Sequence, residues 1–304
     1  MQKIVPSLWF ADSAAEAADF YVSVFRDGRI IETNRYPADE FSEYEFDLAG
    51  RELSVEFEVG GYRLIALNGG PQFPINYSIS LMLNFATAGR EELDRVWSEL
   101  AEGGSVLMPL QAYDFSPYYG WLQDRYGMTW QLMLPAPGAD PRPFVMPTLL
   151  FGGAAQNRAG EALAYYARTF SGARVGTRDR YVEPAGPAEP GSLRYGDLLV
   201  FGQWIALMDA AVPQDFTFTC GVSLVLRCSD QEELNRYWDE LSAVPAAEQC
   251  GWCTDRYGVS WQLVPANLNE LMALPGAFEK LTGMRRIEID AFAEAPAEEW
   301  VAQA

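Results

Sequence analysis

The sequence predicts an α+β fold made of two tandem domains, each containing two βαβββ units. Three observations predict it. Residues 120–133 read GWLQDRYGMTWQLM and residues 251–264 read GWCTDRYGVSWQLV, identical at nine of fourteen positions without a gap; self-similarity of this kind marks a duplicated module. Within each half, the order strand, helix, three strands occurs twice. Between the halves, residues 135–143 read PAPGADPRP, where four prolines disfavour helix and remove backbone donors. The boundaries expected from this pattern are a first domain over 1–138, a second over 144–266, and a tail over 267–304 that packs on the domains.

The first unit opens with an apolar strand at Ile4–Phe10. A helix follows over 13–25, with Ser13 as its cap and Glu16 three residues on, completing a capping box. Strands are expected over 30–36, Glu52–Val59 and 62–67, the last two joined by Gly60-Gly61 in a tight hairpin turn. Gly69-Gly70-Pro71 reads as the connection to the second unit. That unit has a strand over 78–85, a helix over 90–101, and strands near Val106, over 119–124 and at Thr129–Leu134.

The second half follows the first. Pro6 to Phe10 matches Pro147 to Phe151, Glu16 to Tyr21 matches Glu161 to Tyr166, Ile65 to Leu67 matches Ile205 to Leu207, and Glu92 to Trp97 matches Glu233 to Trp238. It lacks about ten residues found at 103–119 of the first half. The aromatic run in that segment is therefore expected to be a loop or hairpin that edges one cavity only.

At 304 residues the chain has room for two domains. No apolar run approaches the roughly 18 residues of a membrane helix, and the beginning of the chain has no signal-peptide pattern; a cytoplasmic protein is expected. A net charge of −20 repels phosphate backbones and anionic lipid, so neither nucleic acid nor membrane is an expected partner.

The two signatures, together with Ala66-Leu-Asn-Gly-Gly-Pro71, resemble the PhnB-like branch of the vicinal oxygen chelate superfamily, which includes glyoxalases and bleomycin-resistance proteins. The resemblance covers both halves. It implies that curved mixed sheets form cups that hold a small-molecule ligand, and that modules pair to complete each cup. This chain is expected to pair its own two domains, with homodimerisation left open. Similar sequences carry the label 3-demethylubiquinone-9 3-methyltransferase, and the stretch Met284 to Phe292 is similar to their ends. A nucleotide-type methyl donor would call for a glycine-rich turn after a parallel strand, and the glycine pairs here read as hairpin and connector.

Glyoxalase I and the extradiol dioxygenases of this superfamily hold a divalent metal with His, Glu or Gln. The resemblance places the corresponding positions at about Pro6 and Pro147, at Ser80 and Ser223, and at Gln131 and Gln262. The chain contains no histidine. Proline has no ligating side chain, and serine hydroxyls and amide oxygens are weak neutral donors for transition metals, so no metal and no cofactor are expected.

Strand alternation turns Gln131 and Gln262 the same way as Thr129 and Ser260, with Trp130 and Trp261 opposite. Each Gln then either meets a ligand or hydrogen-bonds across strands. Glu56 aligns with Asp197, so an acid occupies this strand position in both copies; it lines a cup or meets solvent. Without histidine, a raised carboxylate such as Glu56 is the candidate general base. Asn68, aligned with Met208, is a ligand contact or a turn residue. Trp9, Tyr113, Phe115, Tyr118 and Tyr119 are candidates for lining a pocket, whereas Trp97 and Trp238 read as helix core. The ligand-binding candidates are thus Trp9, Glu56, Asn68, Ser80, Tyr113, Gln131, Asp197, Ser223 and Gln262.

Cys250-Gly-Trp-Cys253 has dithiol spacing, but it lies in a strand, where residues three apart point to opposite faces. Cys220, Cys228, Cys250 and Cys253 are expected to be reduced. The function expected is metal-independent binding of a small molecule, with two alternatives: a metal-dependent lyase, isomerase or dioxygenase, or the methyltransferase of the label.

Overall fold

Alternating and continuous apolar runs build the strands of the first unit: β1 (Ile4–Phe10), β2 (Arg29–Arg35), β3 (Glu52–Val59) and β4 (Tyr62–Asn68), with helix α1 (Ala14–Val24) after β1. The second unit comprises β5 (Ile79–Asn84), α2 (Gly89–Ala101), β6 (Ser105–Tyr113), β7 (Ser116–Gln123) and β8 (Thr129–Leu134). The third comprises β9 (Val145–Phe151), α3 (Ala159–Thr169), β10 (Arg174–Arg180), β11 (Leu193–Val200) and β12 (Gln203–Asp209). The fourth has β13 (Val222–Cys228), α4 (Gln231–Leu241), β14 (Trp252–Thr254) and β15 (Ser260–Pro265). The computed structural model describes residues 2–37 and 48–293.

The fourth unit is βαββ, one strand short of the expected pattern. The missing residues are those that form the β6–β7 hairpin in the second unit, and its aromatic run is accordingly a hairpin found on one side only.

The sheets do not follow the sequence halves. One seven-stranded sheet runs β14-β15-β13-β1-β4-β3-β2, and an eight-stranded sheet runs β10-β11-β12-β9-β5-β8-β7-β6. Units one and four therefore share a sheet (sheet A), as do units two and three (sheet B). The seams are antiparallel pairings of β1 with β13 and of β5 with β9. Each half is tied together instead through its helices. Tyr21 of α1 contacts Phe57 of β3 in one sheet and Trp130 of β8 in the other, at ring distances of 5.6 and 5.3 Å. In the second half Tyr166 of α3 and Phe170, which follows that helix, pack on Trp261 of β15 at 5.9 and 5.5 Å. Burying these large rings away from water is the main favourable term holding the halves together.

Ser13 makes no capping hydrogen bond to α1. The Asn68 side chain, arriving from β4, accepts from the Ala14 N–H at 2.9 Å, and Glu16 accepts the Tyr126 hydroxyl at 2.8 Å. A tertiary cap has replaced the local box. The β3–β4 turn has the expected glycines, with φ of 58° at Gly60 and 71° at Gly61, as a type I′ turn requires. A side chain at Gly60 would collide with the Phe144 ring, 2.1 Å from the Cβ position.

Strand register also revises the internal alignment. Asn68 pairs with Phe10 and Asp209 pairs with Phe151, so Asp209, not Met208, is the counterpart of Asn68. Asp209 accepts the Ala159 N–H at 3.1 Å at the start of α3, repeating the cap. The Ile-Ala-Leu match at 65–67 and 205–207 is out of step by one residue, which in a strand reverses every side chain.

After β15, helices α5 (Leu268–Met272) and α6 (Ala277–Gly283) lead to Ile287 and Phe292, both buried. The carbonyls of Met284 and Arg285 accept from Cys250 and Gly251 at 2.8 and 2.7 Å. Of the expected tail, 294–304 lie outside the described residues. Among the described residues no helix is long and apolar enough to cross a membrane.

Candidate functional site

Each sheet turns one face to the helices and leaves an inner face, the cup. In sheet A, register places Glu56, Ile65, Ser7 and Ser223 in one row across four strands. Gln262 closes the row, its amide donating to Ser223 Oγ at 2.9 Å. The corresponding row of sheet B is Asp197, Ala206, Thr148 and Ser80. Gln131 closes it, donating to Ser80 Oγ at 2.7 Å while accepting the Tyr119 hydroxyl at 2.8 Å. Ser80, Ser223, Gln131 and Gln262 thus come together in two equivalent pairs, through cross-strand hydrogen bonds.

Pro6 and Pro147 do not belong to these rows. Pro6 pairs with Leu224, and Pro147 with Leu81, on the face that carries Trp261 and Trp130. The cup positions are one residue on, at Ser7 and Thr148. Besides the acids Glu56 and Asp197, each held by arginine, the central rows offer only hydroxyls and one amide apiece. Neutral donors give a divalent cation no charge compensation, and the Gln131 amide oxygen already accepts from Tyr119. Among the described residues no group of three His, Cys, Asp or Glu converges on a point. The residues do not fit the divalent metal that the resemblance implies.

Glu56 lies on the inner face of sheet A, only 6% exposed. Its Oε1 accepts from Arg63 at 2.9 Å and its Oε2 from Arg227 at 2.6 Å. With both oxygens engaged by guanidinium groups it acts as a charge partner. Asp197, 1% exposed, accepts Arg142 at 2.7 Å and the Thr177 N–H at 2.7 Å.

Asn68 is engaged in structure: besides capping α1 it donates to the Glu52 carbonyl at 2.9 Å. Trp9 sits at the rim of sheet A, its indole N–H donating to the Gly70 carbonyl at 2.7 Å and its ring edged by Phe73 and Trp252 at 5.2 and 5.7 Å. Tyr113 and Phe115 stack at 5.5 Å and both edge Tyr119, at 5.7 and 5.0 Å; the hairpin thereby puts an aromatic rim beside Gln131. Tyr118 points elsewhere, bonding Asp94 at 2.6 Å under the Arg90 guanidinium.

Sequence reasoning missed the wall of cup B. Met82, Met146 and Ala206 form a separate apolar cluster, packed by Met133, Met208, Tyr195 and Trp204. The signal was present: Met82 and Met146 each lie two positions from a row residue, Ser80 and Thr148. On the same face, Thr129 Oγ1 and the indole nitrogen of Trp121, the residue opposite Gln131, are buried without a hydrogen-bond partner. All four cysteines are free thiols. Cys253 faces Trp261 across the strands on the helix side, and burial pushes the Cys228 thiol up to about 12.

The sequence profile of the 3-demethylubiquinone-9 3-methyltransferase family matches residues 2–133 and 143–264. Among solved structures, the chain is similar to a PhnB protein from Bacillus cereus, 33% identical over 44% of this chain and 99% of that one, with a TM-score of 0.38. A protein from Pseudomonas aeruginosa is 26% identical over 44% of this chain and 98% of its own, with a TM-score of 0.38. Glyoxalase I from Zea mays, 12% identical, covers 89% of this chain and 95% of its own at a TM-score of 0.54, a likeness of fold. No curated protein matches the sequence. With its profile matched once in each half, the chain belongs to the 3-demethylubiquinone-9 3-methyltransferase family, in tandem duplicate and with a fold like that of glyoxalase I.

Proposed function

We propose that this protein binds a small organic molecule, without a metal ion, on the inner face of the eight-stranded sheet. The observation that carries this reading is the Tyr119–Gln131–Ser80 hydrogen-bond chain lying beside the methionine and aromatic wall. The second amide hydrogen of Gln131 and the hydroxyl proton of Ser80 supply donors, and Thr129 Oγ1 and the Trp121 N–H are unsatisfied polar atoms on the same face. Unbranched, polarizable Met side chains adapt to the shape of an apolar guest. Sheet A supports this less well, because its inner face carries the Arg63–Glu56–Arg227 ion cluster.

Methyl transfer, which the family name denotes, finds no support in a glycine-rich strand-to-helix turn: Gly60-Gly61 forms a hairpin and Gly69-Gly70 follows β4. Calorimetry with S-adenosylmethionine is expected to show no heat of binding. Thermal-shift assays with a naphthoquinone probe test the binding reading. A rise in Tm that survives chelator and disappears in Gln131→Leu supports it. A rise that depends on an added metal, or one unchanged in Gln131→Leu, overturns it.

A further inference from the structure

Cup B contains a charge site that its own walls do not complete. Strand register makes Glu56, Arg63 and Arg227 of cup A equivalent to Asp197, Trp204 and Asn84 of cup B: Glu58 pairs with Arg63 as Leu199 does with Trp204, and Arg227 pairs with Val264 as Asn84 does with Met133. In cup A the acid is neutralised by two arginines rooted in the sheet. In cup B the acid persists, but one arginine has become an indole and the other an amide that accepts from Ala86 N at 3.0 Å.

The missing positive charge arrives from outside the sheet, on Arg142 of the proline-rich linker. Residues 139–141 and Pro143 are exposed, whereas the Arg142 side chain is 13% exposed. Its Nε donates to Asp197 Oδ2 at 2.7 Å, Nη2 lies 3.4 Å from Thr177 Oγ1, and the guanidinium sits 3.9 Å from the centre of the Trp204 ring. The Tyr195 hydroxyl also reaches Asp197 Oδ2, at 3.3 Å. A buried carboxylate beside an indole face is the environment that attracts a flat cation.

We infer that Asp197, Trp204 and Tyr195 form a binding site for a planar organic cation, an amidinium or guanidinium with an apolar body lying on Met82, Met146 and Met208. Arg142 is its tethered occupant and leaves when the ligand enters. The inference rests on the reading of cup B as the binding site and adds the ligand's charge. Because the linker holds Arg142 near the site at a high effective concentration, it weakens the apparent affinity of any free cation.

The test uses benzamidine, with neutral benzamide as its isostere, on the full-length protein. Benzamidine is expected to quench tryptophan fluorescence and to speed proteinase K cleavage within 135–143 by displacing Arg142; benzamide does neither. Arg142→Ala is expected to bind benzamidine about tenfold more tightly, and adding Asp197→Asn to abolish that gain. Should these variants fail to fold, the cleavage rate in the unaltered protein decides. Equal binding of the two probes, or benzamidine binding with no change in linker cleavage, overturns the inference. If naphthoquinone binds through Gln131 and benzamidine does not, the charge assignment falls and the cup reading stands. If no probe binds, both fall.

Discussion

The indole N–H of Trp130 donates to the carboxylate of Asp124 at 2.7 Å. The other carboxylate oxygen accepts the backbone N–H groups of Tyr126 and Met128 at 2.8 and 3.1 Å, so one buried acid shapes the turn between β7 and β8 and anchors the ring beneath it. Asp255 repeats this with Trp261, Tyr257 and Val259 at 3.0, 2.8 and 3.1 Å, and also accepts the Tyr166 hydroxyl at 2.6 Å. In the first half Tyr21 lies against the same acid outside hydrogen-bond geometry. The shared Asp and Trp of the two signatures thus serve the architecture.

Replacing that acid by an amide turns one acceptor into a donor facing another donor. Asp124→Asn and Asp255→Asn are each expected to lose about 2 kcal/mol, the cost of leaving buried donors unpaired. Denaturant unfolding checks this, and Asp255→Asn should be the more costly, since Tyr166 also loses its acceptor.

Burial pushes Asp124 up to about 6 and also raises Asp255. A carboxyl raised on folding contributes stability that is complete below its unfolded value near 4, and that contribution is lost as the pH rises through the folded value. Protonating surface carboxylates also relieves the repulsion of a chain at −20. Tm should therefore be a few degrees higher at pH 5 than at pH 7.5, with a flatter profile in Asp124→Asn. Below pH 4 stability should fall again, because the Arg95 guanidinium holds Glu92 below the usual carboxylate range.

Glu56 bridges the halves, accepting from Arg63 in the first and Arg227 in the second. Glu56→Gln leaves two partly buried guanidinium groups facing each other and should cost about 2 kcal/mol, reduced from a fully buried case because Arg63 is 33% exposed. A double-mutant cycle with Arg227→Met should show coupling of about 1 kcal/mol or more.

Cys220 and Cys250 are half-buried, while Cys228 and Cys253 are buried. A thiol reagent should modify at most two cysteines in the folded protein and all four after unfolding. Reductant should leave Tm unchanged.

The fold was legible because its signals are local: strand alternation, the glycine hairpin, the proline linker and the repeat. Alternation from Trp130 and Trp261 set the direction of Gln131 and Gln262, whereas Ser80 and Ser223 were placed through the family resemblance alone. Pro6, Pro147 and the Asn68–Met208 match failed by a single residue, an error that only strand register exposes. Ser13 lost its capping role to Asn68, a partner 55 positions away, and Arg142 lay in a segment whose composition signals only a linker. Contacts made by chain crossing, including the sharing of each sheet between halves, leave no periodic trace.

A crystal structure of protein purified without chelator or metal-affinity resin tests the central claim most directly. It should show organic density in the eight-stranded cup, between Gln131 and Trp204, with no metal ion in either cup. A metal ion coordinated by Gln131 or Gln262 would contradict it.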